Sequence, residues 1–348
     1  MPHSTLVRFI ILGAIAMLLA ASASQATART IGIQWDELDR SLSSYAAESN
    51  FLVAEFAGNG CTTIHDRNAI EPLAIASVFK LYVLGELARQ VQLGQASWTD
   101  RVTISDNLRS MPSGDFAWVR AGTTAPVLDL AESMIWQSDN TATDHLIGYL
   151  GRDNVEAAFA AFGHQDPELN FPLLLTREMF GIKMSQPDAW MTTYMAATDD
   201  EQLAMVESTI DPMRINPDGG WGNWNGPTAI DGIEWFASAN DLCRAMASLW
   251  SLGAQPGLEP VREILTGNRS GIADTKTWPL AGYKGGYEAG VVNLTFVLER
   301  SDGRVFFVTT GYNQEHGSVS QTAGRAELDT VFACLGVISG PTSCAPEA

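Results

Sequence analysis

The chain has 348 residues, of which 46% are apolar, 18% charged and 9% aromatic; that is enough apolar material for a sizeable core and excludes a disordered chain. Against 21 Lys and Arg stand 40 Asp and Glu, a formal net charge of −19 that makes DNA and RNA poor partners. Only four lysines occur, Lys80, Lys183, Lys276 and Lys284, so a lysine inside an apolar segment stands out.

Residues 1–28 carry one charge, Arg8, and no acid. Phe9 to Ala20 is an apolar run of twelve, short of the roughly 20 residues that span a bilayer. Ala21-Ser22-Ala23 and Ala26-Thr27-Ala28 follow. A positive start, a short apolar stretch and Ala-x-Ala sites read as a cleaved signal peptide; the competing reading is an uncleaved membrane anchor. No later run reaches transmembrane length, so the mature chain is expected as a soluble monomer, periplasmic or secreted.

Trp35 to Ser49 has the apolar spacing of an amphipathic helix. Phe51–Phe56 and Thr62–Ile64 read as strands joined across Gly58-Asn59-Gly60, a strong hairpin signal. A long helix is expected over Ser77 to Val91, and a short β-like run over Arg101–Ile104. Pro126–Trp136, Thr141–Leu150, Asn154–Phe162, Asn240–Leu252 and Leu258–Leu265 look helical. Val291–Arg300 and Arg304–Gly311 flank Ser301-Asp302-Gly303, a second hairpin, and Gln321–Val337 closes the chain as a helix. Strands at both ends with helices between them predict a mixed α/β (α+β) fold. An antiparallel sheet flanked by terminal helices, from residues 35–70 and 272–345, would carry an all-helical domain over 71–271. The seam between them is a natural place for a site.

Cys61, Cys243, Cys334 and Cys344 would meet an oxidising environment outside the cytoplasm. Four cysteines allow three full pairings, and the sequence does not choose among them, although Cys334 and Cys344 are close enough to loop together. Cys-x-x-Cys pairs are absent and the five His are scattered, so no metal or other cofactor is expected.

Leu73 to Leu84 is apolar nearly all round, so its helix is expected to be buried. Within it Ser77 and Lys80 share a face at spacing i,i+3. A buried lysine is costly unless paired or neutralised, and burial lowers its pKa toward that of a usable base. A serine at a helix start gains a dipole that favours developing negative charge. The physical reading is a serine nucleophile activated by a lysine, without histidine; the plainer one is a lysine whose head group escapes to the surface. Ser138-Asp139-Asn140 falls where two predicted helices meet. Ser138 can pass a proton to a leaving group, and Asn140 can hold a substrate amide and Lys80; Ser138 can equally be a helix N-cap. Ser105-Asp106-Asn107 repeats the wording but follows the short β-like run, where a turn explains it. Lys284-Gly285-Gly286 precedes a β run, where the lysine can bind a substrate carboxylate and tune Ser138. The glycines let a substrate backbone approach, and the N–H groups of Tyr287 and Ser77 can form an oxyanion hole. Lys276-Thr277-Trp278 lacks the glycine.

Together these three elements resemble the Ser-x-x-Lys, Ser-Asp-Asn and Lys-Thr-Gly set of active-site serine β-lactamases and penicillin-binding proteins. The 61-residue separation of Ser77 and Ser138, and the run Met134-Ile135-Trp136-Gln137-Ser138-Asp139-Asn140-Thr141-Ala142-Thr143, are similar to class A enzymes. The resemblance covers about residues 35–340. It implies the family fold, a small-molecule β-lactam or acyl-ester substrate and no cofactor. It also implies catalytic roles for Ser77, Lys80, Ser138 and Lys284, with Asn140, Gly286 and Tyr287 binding the substrate.

Class A enzymes further need a carboxylate on an Ω-shaped loop to activate the deacylating water. Asp166-Pro167-Glu168-Leu169-Asn170 is similar to that Glu-x-x-x-Asn loop, with the shorter Asp166 in first place; Glu168 and Glu178 are spare candidates. Gly285 replaces the usual hydroxyl residue of Lys-Thr-Gly, which removes a hydrogen bond to a β-lactam carboxylate worth about 1.5–3 kcal/mol. Extra chain near 176–236, containing Trp221 and Trp224, looks like a divergent branch of β-lactamase-like serine hydrolases, some better described as esterases. Those two Trp can stack on a substrate or anchor a loop. The expected function is an exported serine hydrolase that opens β-lactam rings through a Ser77 acyl-enzyme. The alternatives are an esterase or D-Ala-D-Ala peptidase using the same serine, or a β-lactam-binding protein that does not turn over. Neither a Gly-x-Ser-x-Gly elbow nor a phosphate-cradling Gly-x-x-x-x-Gly-Lys-Ser/Thr loop is present.

Overall fold

A hairpin from the start of the chain and a three-stranded meander from its end build one sheet. The computed structural model describes residues 32–58, 60–214, 226–338 and Cys344. The expected signal peptide, Asn59 of the first hairpin, Trp221 and Trp224 lie outside the described residues.

Helix α1 (Trp35–Ser43) leads into strands β1 (Glu48–Ala57) and β2 (Gly60–Arg67). It stops before the expected Ser49 because the Ser43 and Ser44 hydroxyls donate to the carbonyls of Arg40 and Ser41, at 3.1 and 2.7 Å, and draw the backbone into a turn. Next come β3 (Leu73–Ala74), a 3-10 turn over Ala76–Phe79 and α2 (Lys80–Gln92), so the helix expected from Ser77 begins as a tighter coil. Strands β4 (Arg101–Thr103) and β5 (Thr124–Pro126) pair with each other. Helices α3 (Val127–Trp136), α4 (Asn140–Leu150) and α5 (Arg152–Ala161) follow the expected pattern to within two residues.

Helices α6 (Thr176–Ser185), α7 (Asp188–Met195) and α8 (Asp199–Thr209) occupy the stretch in which no element was expected. Residues Thr176 to Lys183 of α6 are all buried, so no polar face exists for periodicity to reveal, while α8 buries only Val206. Then come β6 (Phe236–Ala237), α9 (Ala239–Leu252), α10 (Glu259–Thr266), β7 (Leu280–Glu288), β8 (Val291–Glu299), β9 (Val305–Asn313) and α11 (Arg325–Leu335). Helix α11 starts later than Gln321 because Gly324, at φ 73°, holds a left-handed backbone that a helix cannot include.

The five-stranded sheet has the order β2-β1-β9-β8-β7 and is antiparallel throughout. Side chains alternate between its faces with period two. Phe51, Val53, Phe296 and Phe306 pack against α1 and α11. Leu52, Ala54, Val297 and Phe307 join the larger core that includes α2 and α9. Of the three possible cysteine pairings, the chain forms Cys61–Cys243, which ties β2 to α9, and Cys334–Cys344. Among the described residues no helix is long and apolar enough to cross a membrane. The feature that matters for function is that β7 ends the sheet, so its outer edge is free to meet the start of α2.

Candidate active site

From Leu73 to Ala88 every residue is buried except Ser77, which is partly exposed. An otherwise sealed segment therefore opens at one hydroxyl. The backbone is fixed on both sides of it. Strand β3 pairs with β6, the Ile75 N–H donates to the Trp235 carbonyl at 2.9 Å, and the Phe79 ring stacks on Trp235 at 3.9 Å. From the other side β7 presses in at Gly286, where any Cβ would collide with the Ile75 carbonyl and lie 3.2 Å from the Ser77 nitrogen. Only glycine permits that approach. Ala76 takes φ 44°, an uncommon left-handed conformation for a side chain with a Cβ, and delivers Ser77 to the opening.

Lys80 is fully buried. Its Nζ lies 2.7 Å from the Ser138 carbonyl, 3.2 Å from Ser138 Oγ and 2.5 Å from Asn140 Oδ1. Burial pushes its pKa down to about 7, against an upward pull from Asp139 and Asp144. Lys284, also buried, places Nζ 2.9 Å from Ser138 Oγ and 2.7 Å from the Gly285 carbonyl. Burial first, and the neighbouring Lys80 charge second, hold its pKa well below the usual lysine value. Ser138 Oγ thus sits between two amines.

The local fold of Ser138-Asp139-Asn140 explains how. Asp139, not Ser138, caps α4: its Oδ1 accepts from the Ala142 N–H at 2.9 Å, and Oδ2 accepts from the Phe116 N–H at 2.8 Å. Ser138 itself takes φ 57°, which turns its hydroxyl away from the cap and toward the lysines. Asn140 Nδ2 donates to the Pro112 carbonyl at 2.7 Å, so its amide oxygen is held toward Lys80. One turn on, buried Asp144 accepts the N–H groups of Thr176 and Arg177 at 2.7 and 2.9 Å and pins α6 to α4. Its own burial raises its pKa to about 7. Because Lys284 Nζ reaches the Gly285 carbonyl, that carbonyl faces the free edge of β7; by the two-residue period Tyr287 presents its N–H on the same edge, beyond Gly286 and beside Ser77.

Asp166 does not join this group. Its side chain is exposed and makes no hydrogen bond or ion pair among the described residues, and Glu168 is exposed too. Glu178 is buried but committed to Arg152, with its Oε2 2.8 Å from Nη1, and to the Leu175 N–H at 2.7 Å. Asn170 of the same loop holds the Phe236 backbone, donating and accepting at 3.1 and 2.9 Å. The look-alike Ser105-Asp106-Asn107 is a turn braced by Arg109 and His145, and Lys276 is exposed.

Sequence reasoning passed over a third buried lysine. Lys183 Nζ on α6 lies 3.0 Å from Glu234 Oε1 and 2.7 Å from Glu288 Oε1. Glu234 precedes the Trp235 that holds Ile75, and Glu288 ends the strand that carries Lys284, so the trio clamps both sides of the Ser77 turn. The rarity of lysine was the one signal that pointed to it.

A profile of the β-lactamase enzyme family matches residues 35–323. The chain belongs to the β-lactamase enzyme family. Its membership makes it a serine hydrolase of the β-lactamase type, acting on amide or ester bonds. The β-lactamase of Sphaerobacter thermophilus is similar in fold, with TM-score 0.60 and 18% identity over 86% of this chain and 97% of that one. A β-lactamase of Desulfarculus baarsii gives TM-score 0.58 and 16% identity over 88% and 100%. A point mutant of PBP-A, as an acyl-enzyme complex with penicillin G, gives TM-score 0.55 and 15% identity over 86% and 96%. No curated protein matches the chain.

Proposed function

We propose that this β-lactamase-family protein is an exported hydrolase that opens β-lactam rings through an acyl-enzyme on Ser77. The observation that carries this reading is the placement of Ser138 Oγ between Lys80 and Lys284, with Ser77, the one partly exposed residue of an otherwise buried run, one turn before Lys80 in the chain. Burial lowers the pKa of Lys80 to about 7, so near neutral pH its lone pair is available to take the Ser77 proton as Oγ attacks the carbonyl carbon. The Ser77 and Tyr287 N–H groups hold the oxyanion. The proton then moves from Lys80 through Ser138 to the leaving nitrogen or oxygen, and Lys284 tunes that transfer. This leaves Lys80 neutral again. The same amine can accept a proton from water attacking the ester and hand it to Ser77 Oγ as the ester bond breaks, which frees the product and restores both Ser77 and neutral Lys80. Asp166 has no part in either step. Asn140 positions Lys80 and offers its amide to the substrate.

A second reading, that the acyl-enzyme forms but releases slowly, is favoured by the exposed position of Asp166, which leaves the water without a carboxylate. Incubating the mature protein with a penicillin and a chromogenic cephalosporin, while following turnover and intact mass, separates the two. Steady turnover with a transient adduct on Ser77 supports hydrolysis. A lasting adduct supports the second reading. Cleavage of small acyl esters without any β-lactam adduct shifts the assignment to an esterase.

A further inference from the structure

The segment that leads into Ser77 is held from behind by the sheet. Strand β3 pairs with β6 along one edge. On the other edge Asn313 stands in for a strand: its Oδ1 accepts the Ala74 N–H at 2.8 Å, and its Nδ2 donates to the Ala74 carbonyl at 3.1 Å. A side-chain amide offers a donor and an acceptor, as a peptide unit does across a ladder. Earlier in the same segment Asn50 Nδ2 donates to the Glu71 carbonyl at 3.1 Å. Between Ala74 and Ser77 lies Ala76 at φ 44°. Such a backbone persists only where its surroundings over-determine it.

These amides belong to a buried polar patch on the face of the sheet that packs against the Ser77 turn. The ladder sets Asn50, Gly311, Asn293 and Gly286 in one row across β1, β9, β8 and β7. That row ends where Gly286 meets the Ile75 carbonyl and the Ser77 nitrogen. Beside the row, Thr295 Oγ1 donates to Asn293 Oδ1 at 2.8 Å and lies 2.8 Å from Thr309 Oγ1, so the Asn293 oxygen is taken. A Cβ at residue 311 would stand 2.8 Å from Asn50 Oδ1 and 3.3 Å from Asn293 Nδ2, both without a partner among the described residues. An acceptor and a donor therefore converge over a glycine. Buried polar groups are expensive, and apolar residues would fill such a face at less cost. What bonded amides add is direction, because a buried polar network admits few arrangements.

We propose that Asn50, Asn293 and Asn313 are positioning residues for the nucleophile. Asn313 and Asn50 seat the strand that leads to Ser77, and Asn293, meeting Asn50 over Gly311, keeps Asn50 in place. The aim of the Ser77 hydroxyl is thus set from the sheet behind it, by residues that do not touch the substrate. The inference rests on the Ser77 reading above and adds what orients that hydroxyl.

The test follows adduct formation on Ser77 by intact mass over a range of penicillin concentrations, which separates the maximal acylation rate from the half-saturating concentration. Asn313→Leu removes both bonds to Ala74. It is expected to lower the maximal rate about 10- to 100-fold, the effect of a misplaced reacting atom, with the half-saturating concentration within about twofold. Gly311→Ala leaves every amide in the chain but wedges Asn50 from Asn293; the same split is expected, several-fold in size. Val308→Ala, on the opposite face of β9, is the control: it loses stability in denaturant unfolding and keeps the wild-type rate. Should Asn313→Leu fail to fold, Gly311→Ala carries the expectation. Unchanged maximal rates, a loss shared by Val308→Ala, or a loss confined to the half-saturating concentration overturns this inference and leaves the Ser77 reading standing. Failure of the wild type to form any adduct on Ser77 overturns both.

Discussion

Two buried lysines, Lys80 and Lys183, have opposite fates. Lys80 faces only neutral acceptors, the Ser138 oxygens and Asn140 Oδ1, and burial drives its pKa down to about 7. Lys183 is as deeply enclosed, yet it touches Glu234 and Glu288, and its pKa is raised. Glu288 answers in turn: burial and the adjacent Glu234 push its carboxyl well above the usual value, against the pull of Lys183. Burial by itself therefore does not make a base. What decides is whether a carboxylate lies within contact, because opposite charge restores the ionised form that desolvation removes. One lysine is left reactive, and the other becomes a clamp on the backbone that carries the chemistry.

The contrast can be broken from either side. Lys80→Ala removes the proton acceptor and should slow Ser77 acylation by about 10²- to 10⁴-fold, read from the time course of adduct mass. Lys183→Met strands two buried carboxyl groups and should cost about 3–5 kcal/mol of stability, measured by denaturant unfolding. A Lys183→Met protein as stable as the wild type would show that the trio is not a clamp. The sharpest variant is Asn140→Asp, which gives Lys80 the kind of neighbour Lys183 has. Acylation needs neutral Lys80, so in the wild type its rate should rise with pH through about 7. An added carboxylate favours the ammonium form and should move that rise upward by about 1–3 pH units, visible in a pH–rate profile. Asp166→Asn is expected to change least, within about twofold in turnover and within roughly 0.5 kcal/mol in stability, since the side chain is exposed and makes no bond among the described residues.

The same contrast marks what could be read from the sequence. Ser77 and Lys80 stood out because they break a short apolar run, and local patterns such as Ser-Asp-Asn survive as words in a line. The fold then brings Lys80, Ser138, Asn140 and Lys284 within hydrogen-bonding distance. Lys183, Glu234 and Glu288 carry no such word: the lysine lies 51 and 105 residues from its two partners, and only the tertiary fold assembles them. Helix α6 escaped notice for a related reason, since burial on all sides erases the period that betrays a surface helix. Asp166 shows the converse. Its neighbours matched a family's order of letters, but the side chain turns outward. Gly285 looked like a missing hydroxyl, and its reason became visible only once Tyr283 and Tyr287 were seen to fill the space.

The Cys61–Cys243 bridge joins residues 182 apart and makes a closed covalent loop that contains Ser77, Lys80 and Ser138 but excludes Lys284. A protease that nicks that loop once cannot separate the pieces; they stay one molecule until a thiol opens the bridge. The strand bearing Lys284 enjoys no such tether on its far side, so peeling of the C-terminal hairpin would disarm the protein while leaving the nucleophile's own neighbourhood stitched together.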